Sequence, residues 1–462
     1  MSVSDICYKV NNNTMAFDLL PVSSIITSED ADKYRAKNYH IIFTKAEFED
    51  KFPNLDITKF YYGKEMFPSI IYYDIEMLIY STFLFNGKEY YKLNDTTTDE
   101  EEIIKVINWL KKLYHEKAFG VLLMRAEGTM RFYLLNYAIS KDLIDQEQLY
   151  ELFIDVYTST DYGFTEISKN SINKILKYKT KEQKDETQNL LSNFDDVITI
   201  YRGEGNRATD FTEALSWTTD INVANFFAIR LSTSGARIIK AKVKKSDIIE
   251  YIDIRNENEV LVKPENIEII EINKLYNATE VNKKYMDDIS LYEYYKYKEM
   301  LRNIIDFRSN TQFHGKIHCL RVLLNAIFIA NHEKISDQQD RNLLFMACIS
   351  HDMAREHDGE DSCHGAMSYR ALINDIIGRE NKELEFLMKY HSLPDQQALI
   401  ALKEFSKDRQ EMLKRLLFVL KDADGLDRVR FGIRELDIKY LRLDFSKQLT
   451  LVALESVKCL RI

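Results

Sequence analysis

The sequence predicts an α+β, multidomain protein: a mainly helical N-terminal region over residues 1–190, an α+β segment over 191–280 and an all-helical C-terminal segment over 281–462. Three observations lead there. A chain of 462 residues exceeds what one hydrophobic core usually organises. Apolar residues recur at helical spacing from about residue 99 to 176, and again from Leu291 nearly to the end with Gly and Pro sparse. Between these stretches, β-branched runs bounded by Gly, Asn or charged residues read as strands.

Residues 1–98 stay undecided element by element, because SIIYYDIEMLIYSTFLF is a continuous apolar run and such a run suits a buried helix or a strand. From Asp99, DEEEIIKVINWLKKLYHE opens with acids, which favour a helix N-terminus, and repeats Ile103, Ile107, Leu110 and Leu113 on one face. VLLMRAEGTMRFYLLNYAI and QEQLYELFIDVY continue that period, and KYKTKEQKDETQN reads as a solvated helix end or linker. VITIYRG, ALSWTT, ARIIKAKV and EVLV then read as strands, with DINVANFFAIRL as a helix after ALSWTT. ISLYEYYKYKEM reads as an interdomain packing helix.

Composition narrows the function classes. With 45% hydrophobic and 12% aromatic residues the chain has ample apolar surface to bury, so it is globular. A net charge of -10 supplies no basic footprint, and neither nucleic acid nor an anionic membrane is an expected partner. The five cysteines, Cys7, Cys319, Cys348, Cys363 and Cys459, are odd in number and widely spaced, which reads as buried thiols in a reducing compartment. The N-terminus lacks a basic start followed by an apolar run, and no window nears the roughly 18 apolar residues of a membrane span. The expected location is the cytoplasm, or a host cell reached by a secretion route that needs no such signal.

Seven of the nine histidines lie between His314 and His391. A divalent ion needs imidazoles and carboxylates from several segments, because one helix presents only residues three or four apart to the same ion. His318, the adjacent His351 and Asp352, His364, His391, and Asp424 in DADGLDRVR come from separate segments. Their order, H…HD…H…H…D, resembles the HD superfamily of metal-dependent phosphohydrolases over about residues 305–435. That resemblance implies His318, His351, Asp352 and Asp424 as metal ligands, with His364 and His391 added in two-ion members. It also implies one or two divalent transition ions such as Mn, Fe or Ni, with Asp352 bridging two, and Arg355 gripping substrate phosphate. His314 reads as a supporting residue one turn before His318, and His357 as loop surface.

A second constellation lies upstream: Arg202 in IYRGE, Ser216 in ALSWTTD, and Glu257 and Glu259 in NENEVLVKP. Breaking the N-glycosidic bond of NAD needs a cation for pyrophosphate, a polar group for the ribose and a carboxylate for the oxocarbenium-like transition state. The arrangement resembles the R-S-E class of mono-ADP-ribosyltransferases over about residues 197–272. It implies NAD as substrate, Arg202 on its phosphates, the Gly203 backbone on the nicotinamide amide, and Ser216 steadying the site. Glu259 would carry the chemistry, and Glu257 would orient the acceptor, an arginine of a target protein. Ser216-Trp217-Thr218 replaces the usual Ser-Thr-Ser, and Arg202 stands only fourteen residues before Ser216, a tight spacing for this class. Taken singly, YRG is an ordinary strand end and ENEV an ordinary charged strand edge.

Together these readings give a two-headed enzyme: ADP-ribosyl transfer from NAD to a macromolecule, and metal-dependent hydrolysis of a phosphoester in a nucleotide or ADP-ribose-like substrate. The alternative is an HD nucleotide phosphohydrolase whose transferase-like segment is an inactive binding module. The paired glutamates discriminate between them, since a pure binder needs no second carboxylate.

Overall fold

The computed structural model describes residues 8–9, 18–64, 67–85, 90–92, 95–97, 100–160, 164–206, 208–304, 307, 313–359, 361–374 and 378–459. Contacts within the chain divide it into two units, Met1–Lys184 and Asp185–Ile462. In the first, an antiparallel sheet follows chain order: β1 (Tyr8–Lys9), β2 (Asp18–Pro21), β3 (Phe60–Tyr62), β4 (Ser69–Asp74), β5 (Ile79–Phe85), β6 (Tyr90–Lys92) and β7 (Asp95–Thr97). Two helices, α1 (Ser28–Arg35) and α2 (Lys45–Lys51), intervene between β2 and β3, each opened by a threonine capping box. The ambiguous apolar run is the β4–β5 hairpin. Every residue of β4 is buried, so the alternation that marks a half-exposed strand is missing from its sequence.

The helices α3 (Glu100–His115), α4 (Phe119–Met124), α5 (Gly128–Ser140), α6 (Leu149–Thr158), α7 (Lys169–Lys177) and α8 (Lys181–Leu190) follow. Ile103, Ile107, Leu110 and Leu113 form the buried face of α3, as their spacing requires. The expectation of a mainly helical region over residues 1–190 therefore describes residues 100–190 and needs correcting for the sheet before them.

The second unit begins within α8 and continues with β8 (Val197–Glu204), β9 (Ser216–Thr218), α9 (Ile221–Ile229), β10 (Arg237–Lys244), β11 (Ile248–Ile252), β12 (Glu259–Val262) and β13 (Ile267–Lys274). The strands form an antiparallel sheet in the order β11-β12-β9-β8-β10-β13. β11 and β13 extend it beyond the strands read from sequence. β13 is exposed along most of its length, so no buried apolar pattern announces it.

Helices complete the unit: α10 (Ala278–Tyr285), α11 (Asp288–Asn303), α12 (Lys316–His332), α13 (Gln338–Ser350), α14 (His364–Leu372), α15 (Lys382–Tyr390), α16 (Asp395–Ala401), α17 (Lys407–Leu426), α18 (Asp444–Gln448) and α19 (Thr450–Cys459). Cys319 and Cys348 are buried among them, whereas Cys363 and Cys459 are exposed, against the expectation of buried thiols; Cys7 lies outside the described residues. Among the described residues no helix is long and apolar enough to cross a membrane.

The boundary expected at residue 280 does not separate two cores. One face of the sheet packs Ile198, Ile200, Trp217, Ile239 and Val260 together. Its other face is covered by α9, whose Ala224, Ala228 and Ile229 belong to the same core as Leu323, Ile327 and Leu420. Polar bonds fix the seam: Asn222 donates to Asp437 at 2.8 Å and accepts from the Ile438 N–H at 2.9 Å, and the Thr450 hydroxyl donates to Asn225 at 2.8 Å.

Gly203 permits this packing, because a Cβ there would lie 1.7 Å from the Ala224 carbonyl oxygen. Gly203→Ala must push α9 off β8, and we expect a loss of about 3 kcal/mol of stability in urea denaturation of the full chain. An unchanged midpoint and slope would contradict the contact.

Candidate metal centre

Helix ends assemble the site. His318 lies in the first turn of α12, His351 and Asp352 directly follow α13, His364 starts α14, His391 caps α15, and Asp424 lies in the last turn of α17. The C-termini of α13, α15 and α17 thus reach the cluster with the negative ends of their dipoles and outnumber the positive N-termini of α12 and α14, which favours a cation there. Gly365 allows α14 to approach α15 closely: a Cβ would lie 2.1 Å from the Met388 carbonyl oxygen.

That carbonyl also orients a ligand. The Nδ1 of His391 faces Met388 O at 2.6 Å, that of His351 faces Cys348 O at 2.9 Å, and that of His364 faces Asp361 O. A carbonyl oxygen only accepts, so each Nδ1 carries the proton and each neutral ring presents an Nε2 lone pair. His318 Nδ1 is held in the same way by the Asp427 carboxylate at 2.7 Å. The Nε2 atoms meet head to head, His318 to His351 at 3.2 Å and His364 to His391 at 2.9 Å.

Asp352 straddles the two pairs. Its Oδ2 lies 3.5 Å from His318 Nε2 and 3.7 Å from His351 Nε2, and its Oδ1 lies 3.1 Å from His364 Nε2 and 3.9 Å from His391 Nε2. Oδ1 is buried with no hydrogen-bond partner among the described residues. Asp424 adds an oxygen 3.2 Å from His318 Nε2, and its side chain, 31% exposed, is the most open of the six. Facing imidazole nitrogens beside a buried carboxylate are costly unless positive charge, a proton or a metal ion, lies among them. The donor set of nitrogens and carboxylate oxygens fits divalent transition metals. His318, His351 and Asp424 form one group able to hold an ion, and His351, Asp352 and His391 another.

The titration shifts follow from this field. Burial, reinforced by His351 and His364, pushes His391 down to about 3, which keeps it neutral and able to ligate. At His318 burial is outweighed by Asp352, Asp424 and Asp427, which hold its pKa up at about 10. The negative field that favours a proton on His318 Nε2 favours a divalent cation in the same place. Asp352, despite burial, is held well below the ordinary carboxylate range by His351, His318 and His364.

Three residues of this site escaped sequence reading. Asp427 accepts from His318 and from Arg321, whose Nε and Nη2 bind its two oxygens at 2.5 and 2.9 Å. Arg430 lies beside it, with Nη1 3.4 Å from Asp427 Oδ2. The available signal was Asp427, three residues after Asp424 and so on the same helical face. Arg355 commits Nε and Nη2 to the carbonyls of His357 and Gly359 at 3.0 and 2.7 Å, and its Nη1 lies 3.9 Å from Asp352 Oδ1. His314 is buried with its Nδ1 on Asp358 at 2.5 Å, and His357 is exposed.

The upstream residues lie on the neighbouring strands β8, β9 and β12. Arg202 Nη1 donates to the Ser216 carbonyl at 2.8 Å, and the Ser216 hydroxyl donates to Glu259 Oε1 at 2.5 Å. The remaining Arg202 nitrogens serve Glu204 at 2.9 Å and the Thr209 carbonyl at 2.7 Å. Gly203 pairs with Ile238 in the ladder. Glu257 does not join this row: its Oε1 meets Arg434 Nη2 at 3.2 Å, and the Arg434 guanidinium lies 4.3 Å over the Phe226 ring.

Residues 316–429 match the family model described as HD domain, so an HD domain forms part of the helical C-terminal region. The match covers α12 to the turn after α17 and includes the six clustered residues, but not the sheet. No curated protein and no solved structure matches the chain.

Asp427→Asn should weaken divalent-metal affinity by roughly 10- to 100-fold, because it removes the charge that orients His318. Competition against a fluorescent chelator measures this. Wild-type affinity in the variant would show that Asp427 serves only Arg321.

Proposed function

We propose that the chain is a metal-dependent phosphohydrolase acting on a phosphoester or phosphoanhydride of a nucleotide-like substrate. The carrying observation is the Asp352 carboxylate, with one oxygen toward each pair of inward-facing imidazoles. His318, His351, Asp352 and Asp424 would hold one divalent ion, and Asp352, His364 and His391 a second. Such ions supply Lewis acidity toward a phosphoryl oxygen and make water a nucleophile at neutral pH. The chain's own part is to keep each ring in the ligating tautomer, to bury the ligands and to leave Asp424 as the exposed edge where substrate enters.

With Mn2+, purified protein should hydrolyse nucleotide or aryl phosphoesters, and chelation should stop it. Asp352→Ala should cost more than the roughly 100-fold expected from losing an outer partner. Chelator-resistant turnover, or turnover retained in Asp352→Ala, would contradict the proposal.

A second reading concerns the sheet. The bonded row Arg202, Ser216, Glu259 on adjacent strands favours a site for NAD that transfers ADP-ribose to an arginine of a target protein. In a linked scheme the HD domain would then process the attached ADP-ribose. The engagement of Glu257 by Arg434 and of Arg202 by Glu204 and Thr209 favours the other form of this reading, a binding module that delivers a nucleotide. Glu259→Gln decides between them. Transfer requires a near-complete loss of NAD consumption with NAD affinity little changed, because the carboxylate acts where positive charge develops on the ribose. Equal NAD consumption in the variant and wild type leaves the binding module.

A further inference from the structure

Among the described residues Arg430 combines burial, charge and missing partners. Its side chain is 7% exposed, and its Nε and Nη1 are buried without a hydrogen-bond acceptor. A guanidinium so placed is expensive unless an anion completes it. Asp427 does not complete it: that carboxylate already accepts from His318 and twice from Arg321, and its approach to Arg430 is the long contact of 3.4 Å.

The position is close to the metal centre. Arg430 Nη1 lies 3.4 Å from Asp427 Oδ2, the same oxygen that His318 Nδ1 meets at 2.7 Å, and the guanidinium rests 4.2 Å over the Phe431 ring. Asp352 and Asp424 are among the carboxylates whose field acts on it. Charge also points to an anion. Asp352, Asp424 and Asp427 are matched by Arg321, Arg355 and Arg430, so divalent ions among neutral imidazoles leave the centre net positive. A phosphate dianion restores the balance and offers oxygens to unbonded guanidinium donors. Arg355, whose Nε and Nη2 are held by its own loop, has fewer donors to give.

We infer that Arg430 binds the substrate's phosphoryl group, a role that sequence assigns to Arg355. The inference rests on the phosphohydrolase reading and names its anion-binding residue. The test titrates inorganic phosphate into the full chain loaded with Mn2+, and measures Mn2+ content on the same samples. Arg430→Gln should weaken phosphate binding at least about tenfold with Mn2+ content unchanged, and Arg430→Lys, which keeps the charge but has fewer donors, about threefold. Arg355→Gln should change it less than Arg430→Gln does. Wild-type phosphate affinity in Arg430→Gln, or in Arg430→Lys if the glutamine variant does not fold, would overturn the assignment. Absence of Mn2+ from the wild type would instead overturn the phosphohydrolase reading, and the assignment with it.

Discussion

One buried carboxylate shared by four imidazoles is the constraint around which the C-terminal helices are organised. Each ring has its Nδ1 committed to an oxygen, so none can rotate its lone pair away from Asp352 without abandoning a hydrogen bond. The repulsion this creates is acceptable only if positive charge enters. Much of the surrounding structure serves that end. Three helix C-termini face the cluster, Gly365 permits the approach of α14 to α15, and Arg321 neutralises Asp427, which holds His318 Nδ1 from behind.

The sheet is not an appendage to this centre. α9 serves both the strands and the helices, so the sheet that carries Arg202, Ser216 and Glu259 is tied through α9 to the core of the HD region. Arg434, from the short turn after α17, reaches Glu257 and Phe226 across the seam. Any ligand that engages Glu257 must displace that arginine. The pair is open to solvent on the arginine side, which keeps the cost of displacement small.

How much of this was legible in the sequence depended on what kind of constraint acted. The six clustered residues could be read because metal ligation admits few residue types and because His351 and Asp352 are adjacent. Asp427 was signalled only by its helical spacing from Asp424, since its role arises from contact with His318, 109 positions away, and nothing in the sequence marked Arg430. The β4–β5 hairpin was ambiguous because β4 is buried on both faces, and β13 was invisible because it is exposed. α9 was recognised as a helix, but that its small residues join two regions is a property of packing. The exposed Cys459 of α19 shows the same limit: an apolar neighbourhood in sequence does not fix which face a helix buries.

The central claim, two ions around Asp352, is tested most directly by metal stoichiometry. The purified protein, loaded with Mn2+ and freed of excess, should carry about two ions per chain, and His364→Ala or His391→Ala about one. Loss of all metal in Asp352→Ala would fit the same geometry. A wild type holding about one ion, unchanged by His364→Ala and His391→Ala, would contradict the two-ion account.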